Sequence, residues 1–440
     1  MRTDHHVHIS YWKAWKSREL ALESGLGNTA DAYKMLPSYL SRLALANPGT
    51  VAAIETTPDE GDLKRFKYMF LPFGASAKGY GCMRKVVVVD GTHLKGKYNG
   101  CLLTTSAHDA NYQIFPIAFG IVDNENDQLW SWFFQKLTDV VLYGYDLVFV
   151  SDIHNSIYAG LHKVYPMAKH YACVVSMFKK KHLAYLVSKA ARAYRVCDFY
   201  KHFNEIKMID INCADYLIRI GLEHWARSHS SGMRYNIMTS NVAESLNAAL
   251  SEAMEYPIVA LVEYIRGMLM RWFLVRRESS DMCGGLVTPK VDELISRNFN
   301  VSTGYLVRHI SKVEYEVRGK ERVLFCVDLD AKTCSCLEFY MLCIPCGHAV
   351  AAAIHSKRRV DVLVGEELSR NNWTGGYSMS VNPAGVDMGT TPEDDTLASL
   401  ILAPPNTRRP PGRPKKTRIL SRGEFKVSIV HGDILHIALF

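Results

Sequence analysis

Polar and apolar positions change rhythm several times along this chain of 440 residues. Leu36, Leu40, Leu43 and Leu45 roughly follow one helical face. Residues 11–46 therefore read as mostly helical, with Pro37 best placed in the first turn of a second helix and Asn47-Pro48-Gly49 as the stop. From Lys85 the rhythm is that of strands. Val86 to Val89 is a continuous β-branched run, as a strand buried on both faces requires. Residues 98–106 and 112–122 predict two more strands, with turn chemistry at Asp109-Ala110-Asn111. Leu129, Trp130, Phe133, Phe134, Leu137 and Val141 then line one side of a helix that Asn126 or Asp127 can cap. Residues 147–150 form another apolar strand, 155–164 a helix and 167–173 a short strand. Helices follow over most of 178–230, over 242–254 and over 258–277. Residues 313–330 read as a hairpin turning at Gly319. Beyond Glu366 the chain turns to Gly, Pro, Ser, Thr and Asn, so 370–410 is expected to be a poorly ordered linker.

Three strands in a meander followed by βαβ units is the order of an RNase H-like domain, an α/β fold on a mixed sheet. A hydrophobic fraction of 48% supplies a sizeable core, and the length allows two or three domains. The formal charge of +8 leans toward an anionic partner without proving one. No apolar stretch reaches the roughly 18 residues of a membrane span, and Met1 is not followed by the apolar region of a secretion signal. The expectation is an intracellular protein with no membrane partner. Seven cysteines are scattered, at 82, 101, 173, 197, 213, 283 and 326, and four lie between Cys334 and Cys346. That distribution points to reduced thiols and a metal site, not to a disulfide framework.

Asp90 and Asp152 each end an apolar strand. In a parallel pair those ends lie together at the edge where open α/β sheets keep their sites. Two carboxylates there can hold Mg²⁺ or Mn²⁺, and a third would complete a two-metal site for phosphodiester chemistry. An Asp that ends a strand is more often a plain turn residue, so neither position taken alone marks a site. Glu244 is the candidate third carboxylate, and it can equally be the N3 member of a capping box whose N-cap is Asn241.

A resemblance adds to this reading. The stretches from Val86 to Tyr98, containing Val-Asp-Gly-Thr-His, from Val150 to Ile157 and from Met238 to Asn247 resemble, in order and separation, the three acidic motifs of plant-type Mutator-like transposases. The similarity runs from about residue 30 to residue 424. It implies that Asp90, Asp152 and Glu244 form a DDE triad using Mg²⁺ or Mn²⁺, with a helical insertion between the second and third members. Two positions depart from the family pattern: Ile153 stands where Arg is usual, and Ser176 where the His of a Cys-x-x-His pair begun by Cys173 is expected. His170 is nearby but on the wrong side to replace it simply. The family's separate N-terminal DNA-binding domain and its Cys/His knuckle after the basic tail are not found in this sequence. Complete transposition by this chain is therefore not expected, although metal and DNA binding are.

Cys334-Ser-Cys336 followed by Cys346-Gly-His348 is a CxCx(n)CxH set of three thiolates and one imidazole, a complete tetrahedral shell for structural Zn²⁺. Cys343 is extra and reads as a core thiol. The set is similar to the SWIM zinc finger, with Ile344-Pro345 before the third ligand. Residues 408–418 are basic and rich in proline; Arg409, Gly412, Arg413, Pro414, Lys415 and Lys416 resemble an AT-hook, suited to a narrow A·T minor groove. A nuclear-localisation signal or a solvated linker reads from the same residues.

The expected organisation is a helical N-terminal segment (1–81), an RNase H-like domain (82–256) with its helical insertion at about 178–236, and a helical connector (257–320). A SWIM-type finger (321–360), a linker (361–405), a disordered basic tail (406–424) and an unassigned end (425–440) follow. The expected partner is DNA, either terminal inverted repeats or A/T-rich sequence, in the nucleus, with room for a homo-oligomer. Two other outcomes compete with an active transposase: a non-catalytic DNA-binding regulator, as with the far-red-impaired-type transcription factors of plants, and a non-functional element remnant.

Overall fold

The computed structural model describes residues 24–58, 63–123, 126–174, 181–319, 322–385 and 396–406, and the single positions 17, 20 and 21. A mixed sheet organises the larger part. Its strands are β1 (Ala53–Pro58), β2 (Lys64–Leu71), β3 (Val86–His93), β4 (Cys101–His108), β5 (Ile114–Val122), β6 (Val148–Ser151) and β7 (Lys169–Ala172), in the order β1-β2-β5-β4-β3-β6-β7. The meander β3-β4-β5 is antiparallel, whereas β3, β6 and β7 run parallel.

Both faces of the central strands are covered, which explains the unbroken valine run. Val87, Val89 and Phe149 pack with the helices Asp127–Leu137 and Asn155–Val164. Val86, Val88, Val148 and Val150 face the other way, against Val242 and Ala243 of the helix Asn241–Ala249. Asn126 caps the 127–137 helix, accepting from Leu129 N at 2.9 Å. The helices Lys181–Arg192, Val196–Ile209, Ile211–Ile220 and Leu222–Trp225 form a body with its own core.

Three expectations need correction. Residues 1–81 are not wholly helical, because β1 and β2 extend the sheet from 53 to 71. Pro37 does not begin a second helix. One helix, Thr29–Ala46, is capped by Asn28 and passes through a buried Pro37. The missing N–H costs a rung of the ladder, and burial of Tyr33, Leu36, Leu40 and Leu43 holds the helix together. Residues 361–405 are not simply a linker. The helix Arg370–Gly376 buries Trp373, and a short strand β12 (Leu402–Ala403) pairs parallel with β2. Trp373 Nε1 and Tyr377 Oη donate to the buried carboxylate of Asp109, at 3.1 and 2.8 Å. Polar composition suggested a linker, but two aromatic anchors and one buried acceptor decide its path.

The long helix Ile258–Met282 and the helix Pro289–Ser302 lead into a second sheet of order β11-β10-β9-β8. Its strands are β8 (Leu306–His309), β9 (Glu314–Arg318), β10 (Leu324–Asp328) and β11 (Thr333–Cys334). The 313–330 hairpin is present, with Gly319 N bonded to Val323 O at 3.2 Å, but the sheet begins at 306, inside the expected connector. Among the described residues no helix is long and apolar enough to cross a membrane.

Candidate functional site

Side chains alternate across a strand, so Asp90 shares the face of Val86 and Val88, and Asp152 that of Val148 and Val150. This is the face covered by the 241–249 helix. The register pairs Val88 with Val150, which places Asp90 and Asp152 level on neighbouring parallel strands. Asp152 lies just past β6, but Asp90 does not end its strand: β3 continues to His93, paired with β4. The edge at this site is therefore made by β6 stopping beside a longer β3.

The helix carries Glu244 to this edge through two side chains not singled out from the sequence. Ser240 Oγ lies 2.8 Å from Asp152 Oδ1 and 3.1 Å from Glu244 Oε1, a hydroxyl shared between two carboxylates. Asn247 Nδ2 donates to Asp90 Oδ2 at 2.9 Å, while its Oδ1 accepts from Thr104 Oγ1 at 3.2 Å. Thr104 is the cross-strand partner of Asp90. Positions 240, 244 and 247 are spaced by four and three, which puts them on one helical face; that spacing within the third motif was the available signal. The capping box is a further correction: Ser240, not Asn241, is the N-cap residue, and its side chain makes no cap bond. Ser240 bridges Asp152 and Glu244, whereas Asp90 is tied to the same helix through Asn247. Among the described residues, only one group of three or more His, Cys, Asp or Glu has its ligand atoms all within 4.8 Å of one another, and it lies elsewhere.

Beside the site, Ile153 packs against the core of the insertion. Cys173 is buried and donates its N–H to Ser151 O at 2.9 Å. His170 sits on β7, with Nε2 2.8 Å from Ser151 Oγ and its ring 4.1 Å from that of Tyr158. Burial, reinforced by the neighbouring His224, pushes it down to about 3, so it is neutral at pH 7. Ser176 lies outside the described residues, as do Arg409, Gly412, Arg413, Pro414, Lys415 and Lys416 of the basic tail.

The group within 4.8 Å is Cys334, Cys336, Cys346 and His348. Cys334 closes β11, Cys336 follows in the turn, and Cys346 is the N-cap of the helix Gly347–His355, whose first turn carries His348. Cys336 and Cys346 sulfurs are 3.5 Å apart, and His348 Nδ1 is 3.8 Å from the sulfurs of both Cys334 and Cys346. A tetrahedron with Zn–S bonds of about 2.3 Å has edges of about 3.8 Å, so the donor set fits zinc in chemistry and in size. Hydrogen bonds from Cys334 and Cys346 pull the Cys336 thiol well below its usual range, so a thiolate is favoured there. The His348 ring is held between Phe325, centroid 4.0 Å away, and Tyr305 at 5.3 Å. Cys343 is outside the group: it sits in a left-handed conformation with φ 56°, its sulfur 3.7 Å from Tyr340 O.

The two sites define a protein with a mixed α/β domain and a compact Cys₃His finger. The family model of the MULE transposase domain matches residues 86–180, and that of the SWIM zinc finger matches 325–357. Together they are consistent with a MULE-type transposase and support a transposase-like, zinc-binding, DNA-associated function. A comparison with curated proteins finds no match.

Proposed function

We propose that this chain is a DDE transposase of the Mutator-like type, or derives from one, built on an RNase H-like domain. The antiparallel meander β3-β4-β5, extended in parallel by β6 and β7, supports that fold reading. The observation that carries the functional reading is the convergence of Asp90, Asp152 and Glu244 at one sheet edge, through Ser240 and Asn247. Mg²⁺ or Mn²⁺ bound there would activate a water or a 3′ hydroxyl and stabilise the leaving oxygen of a phosphodiester. Asp90 and Asp152 would present carboxylate oxygens from fixed strand positions. Asn247 orients Asp90 by its amide bond, and Ser240 limits how far Asp152 and Glu244 separate. Zinc in the Cys₃His set has no open position and is structural.

The basic tail, with Arg409, Gly412, Arg413, Pro414, Lys415 and Lys416, is read as a DNA contact in A/T-rich minor grooves and as a nuclear address. The test is Mn²⁺-dependent nicking of DNA carrying matched inverted repeats. Nicking that is lost in Asp90→Ala supports the reading; nicking that survives in Asp90→Ala overturns the triad. Ile153 favours a second reading, a DNA-binding regulator without catalysis. An aliphatic side chain packed into the insertion core stands where the family carries a cation, leaving one fewer positive charge to position a phosphate. Metal-independent DNA binding without nicking in the same assay would select it.

A further inference from the structure

The segment returning from the helical insertion to the 241–249 helix carries two buried arginines, Arg227 at 6% exposure and Arg234 at 3%. Neither has an ion-pair partner among the described residues. The Arg234 guanidinium lies 4.1 Å over the Tyr171 ring, and its Nη2 donates to Trp225 O at 3.2 Å. The Arg227 guanidinium lies 4.6 Å over Tyr194, and its Nη1 reaches Arg192 O at 3.5 Å. Among the described residues the buried Nε of each has no hydrogen-bond partner. Burial pulls Arg234 down to about 9, and the charge of Arg227 acts in the same direction; burial lowers Arg227 as well. The carboxylate that Arg227 feels is Glu338 of the finger, beyond ion-pair distance.

Burying a guanidinium without a counter-ion is costly, and burying two side by side adds repulsion. Both arginines line a cavity of about 60 Å³, together with Ser230, Gly232, Tyr340 and Met341. A single water needs only about 10–15 Å³ by such a measure, so the cavity suits a tetrahedral oxyanion of several atoms. Planar guanidinium forks match phosphate oxygens in geometry as well as charge. The site is formed by two regions: the 227–235 segment supplies the cations, and the finger's helix Glu338–Leu342 supplies Tyr340 and Met341. Gly232 N donates to Tyr171 Oη at 2.8 Å, and a Cβ at Gly232 would come within 2.7 Å of that oxygen. The loop is thereby pressed onto β7, beside Lys169 and Val148 at the start of β7 and β6.

We propose that Arg227, Arg234 and the 230–232 turn, closed by Tyr340 of the zinc finger, bind one backbone phosphate of a DNA strand. The pocket would hold the strand at the seam between the insertion and the finger, while the chain continuing to Ser240 and Glu244 presents the carboxylates. Its assignment to DNA rests on the transposase reading; its affinity for an oxyanion does not.

The test uses the full chain and two ligands. Inorganic phosphate, against chloride at equal ionic strength, should raise the unfolding temperature of the wild type with saturation. Arg234→Lys and Ser231→Glu should each abolish that rise while zinc content is kept. Ser231 is exposed, so Ser231→Glu carries the test if Arg234→Lys does not fold. With a short DNA duplex, each variant should lower the slope of log affinity against log salt by about 0.9, the loss of one phosphate contact, and phosphate should compete with DNA. No rise in the wild type, or a rise that both variants keep, overturns the pocket. A rise lost in the variants with an unchanged DNA slope overturns DNA as the ligand and leaves a small phosphate compound. Absence of Mn²⁺-dependent nicking alongside intact phosphate and DNA effects sinks the cleavage reading alone.

Discussion

The zinc set and the carboxylate set are built in opposite ways. All four zinc donors lie between Cys334 and His348, on a strand end, a turn and one helical first turn. Their spacing needs little beyond a hairpin and the helix that follows it. The carboxylate set joins strands to a helix across the insertion: the Asn247–Asp90 bond spans 157 residues and the Ser240–Asp152 bond 88. Accordingly the zinc donors close to within 4.8 Å of one another, while Asp152 and Glu244 share the Ser240 hydroxyl and Asp90 is held to the helix by Asn247. A local site can be assembled by its own segment. A distributed site inherits its geometry from the sheet register, from the return of the insertion and from whatever orients the helix.

The sharpest test of this contrast is metal removal. Structural zinc contributes on the order of 10 kcal/mol in small finger peptides, so chelation or Cys346→Ser should unfold the 306–357 region. Hydrogen exchange should show β8–β11 losing protection while β3–β6 keep theirs. Equal loss in both regions would mean that the finger is not a separate unit.

Next in size is Asp109→Ala. It strands the Trp373 and Tyr377 donors and the N–H groups of Asn111 and Gln113, which donate to Asp109 at 2.9 and 2.7 Å. Removing one partner of such a buried network costs about 3–5 kcal/mol. The measurement is denaturant unfolding with limited proteolysis at 370–385, and unchanged protection there would show that the aromatic anchors suffice.

Acid should weaken the sheet before the finger's donors are considered. Burial holds His108 down to about 3, aided by the Arg84 charge, and His170 to about 3 as well. An unfolded histidine titrates near 6.5. Both folded values are depressed, so their stabilising contribution is complete above about pH 6.5 and is lost as pH falls toward about 3. Each can account for roughly 1.4 kcal/mol per unit of pH within that window. His108→Gln should flatten the stability–pH curve between pH 6 and 4; an unchanged curve would mean that His108 is already protonated or solvated.

The smallest expected effect is at Ser240. Ser240→Ala removes the shared hydroxyl but leaves all three carboxylates. If that bridge sets their spacing, nicking should fall about tenfold, in line with the sensitivity of catalysis to small displacements, while zinc content and stability change little. An unchanged rate would make Ser240 a packing residue.

The legibility of the two sites in the sequence follows the same division. The Cys₃His set could be read because metal ligation needs particular atoms at short spacing. The three carboxylates were approached through three motifs, but strand-end logic misjudged Asp90, whose strand runs on to His93. It also cast Asn241 as a cap where Ser240 is the N-cap and Asn241 begins the helix. Thr104 belongs to the site only because the β3–β4 register sets it opposite Asp90, a relation that carries no local signal.

Periodicity and burial demand were enough to determine the double-faced β3, the capped 127–137 helix, the helices that follow β7 and the Cys₃His set, since each depends on neighbours a few residues away. Tertiary structure alone decided the rest. It carried β1 and β2 into a sheet from a segment read as helical, kept one helix whole through Pro37, and drew the 370–385 segment onto Asp109. In each case burial against a distant part of the chain outweighs the local preference, because the apolar area and buried hydrogen bonds gained there exceed the fraction of a kilocalorie to few kilocalories per residue that local propensity contributes.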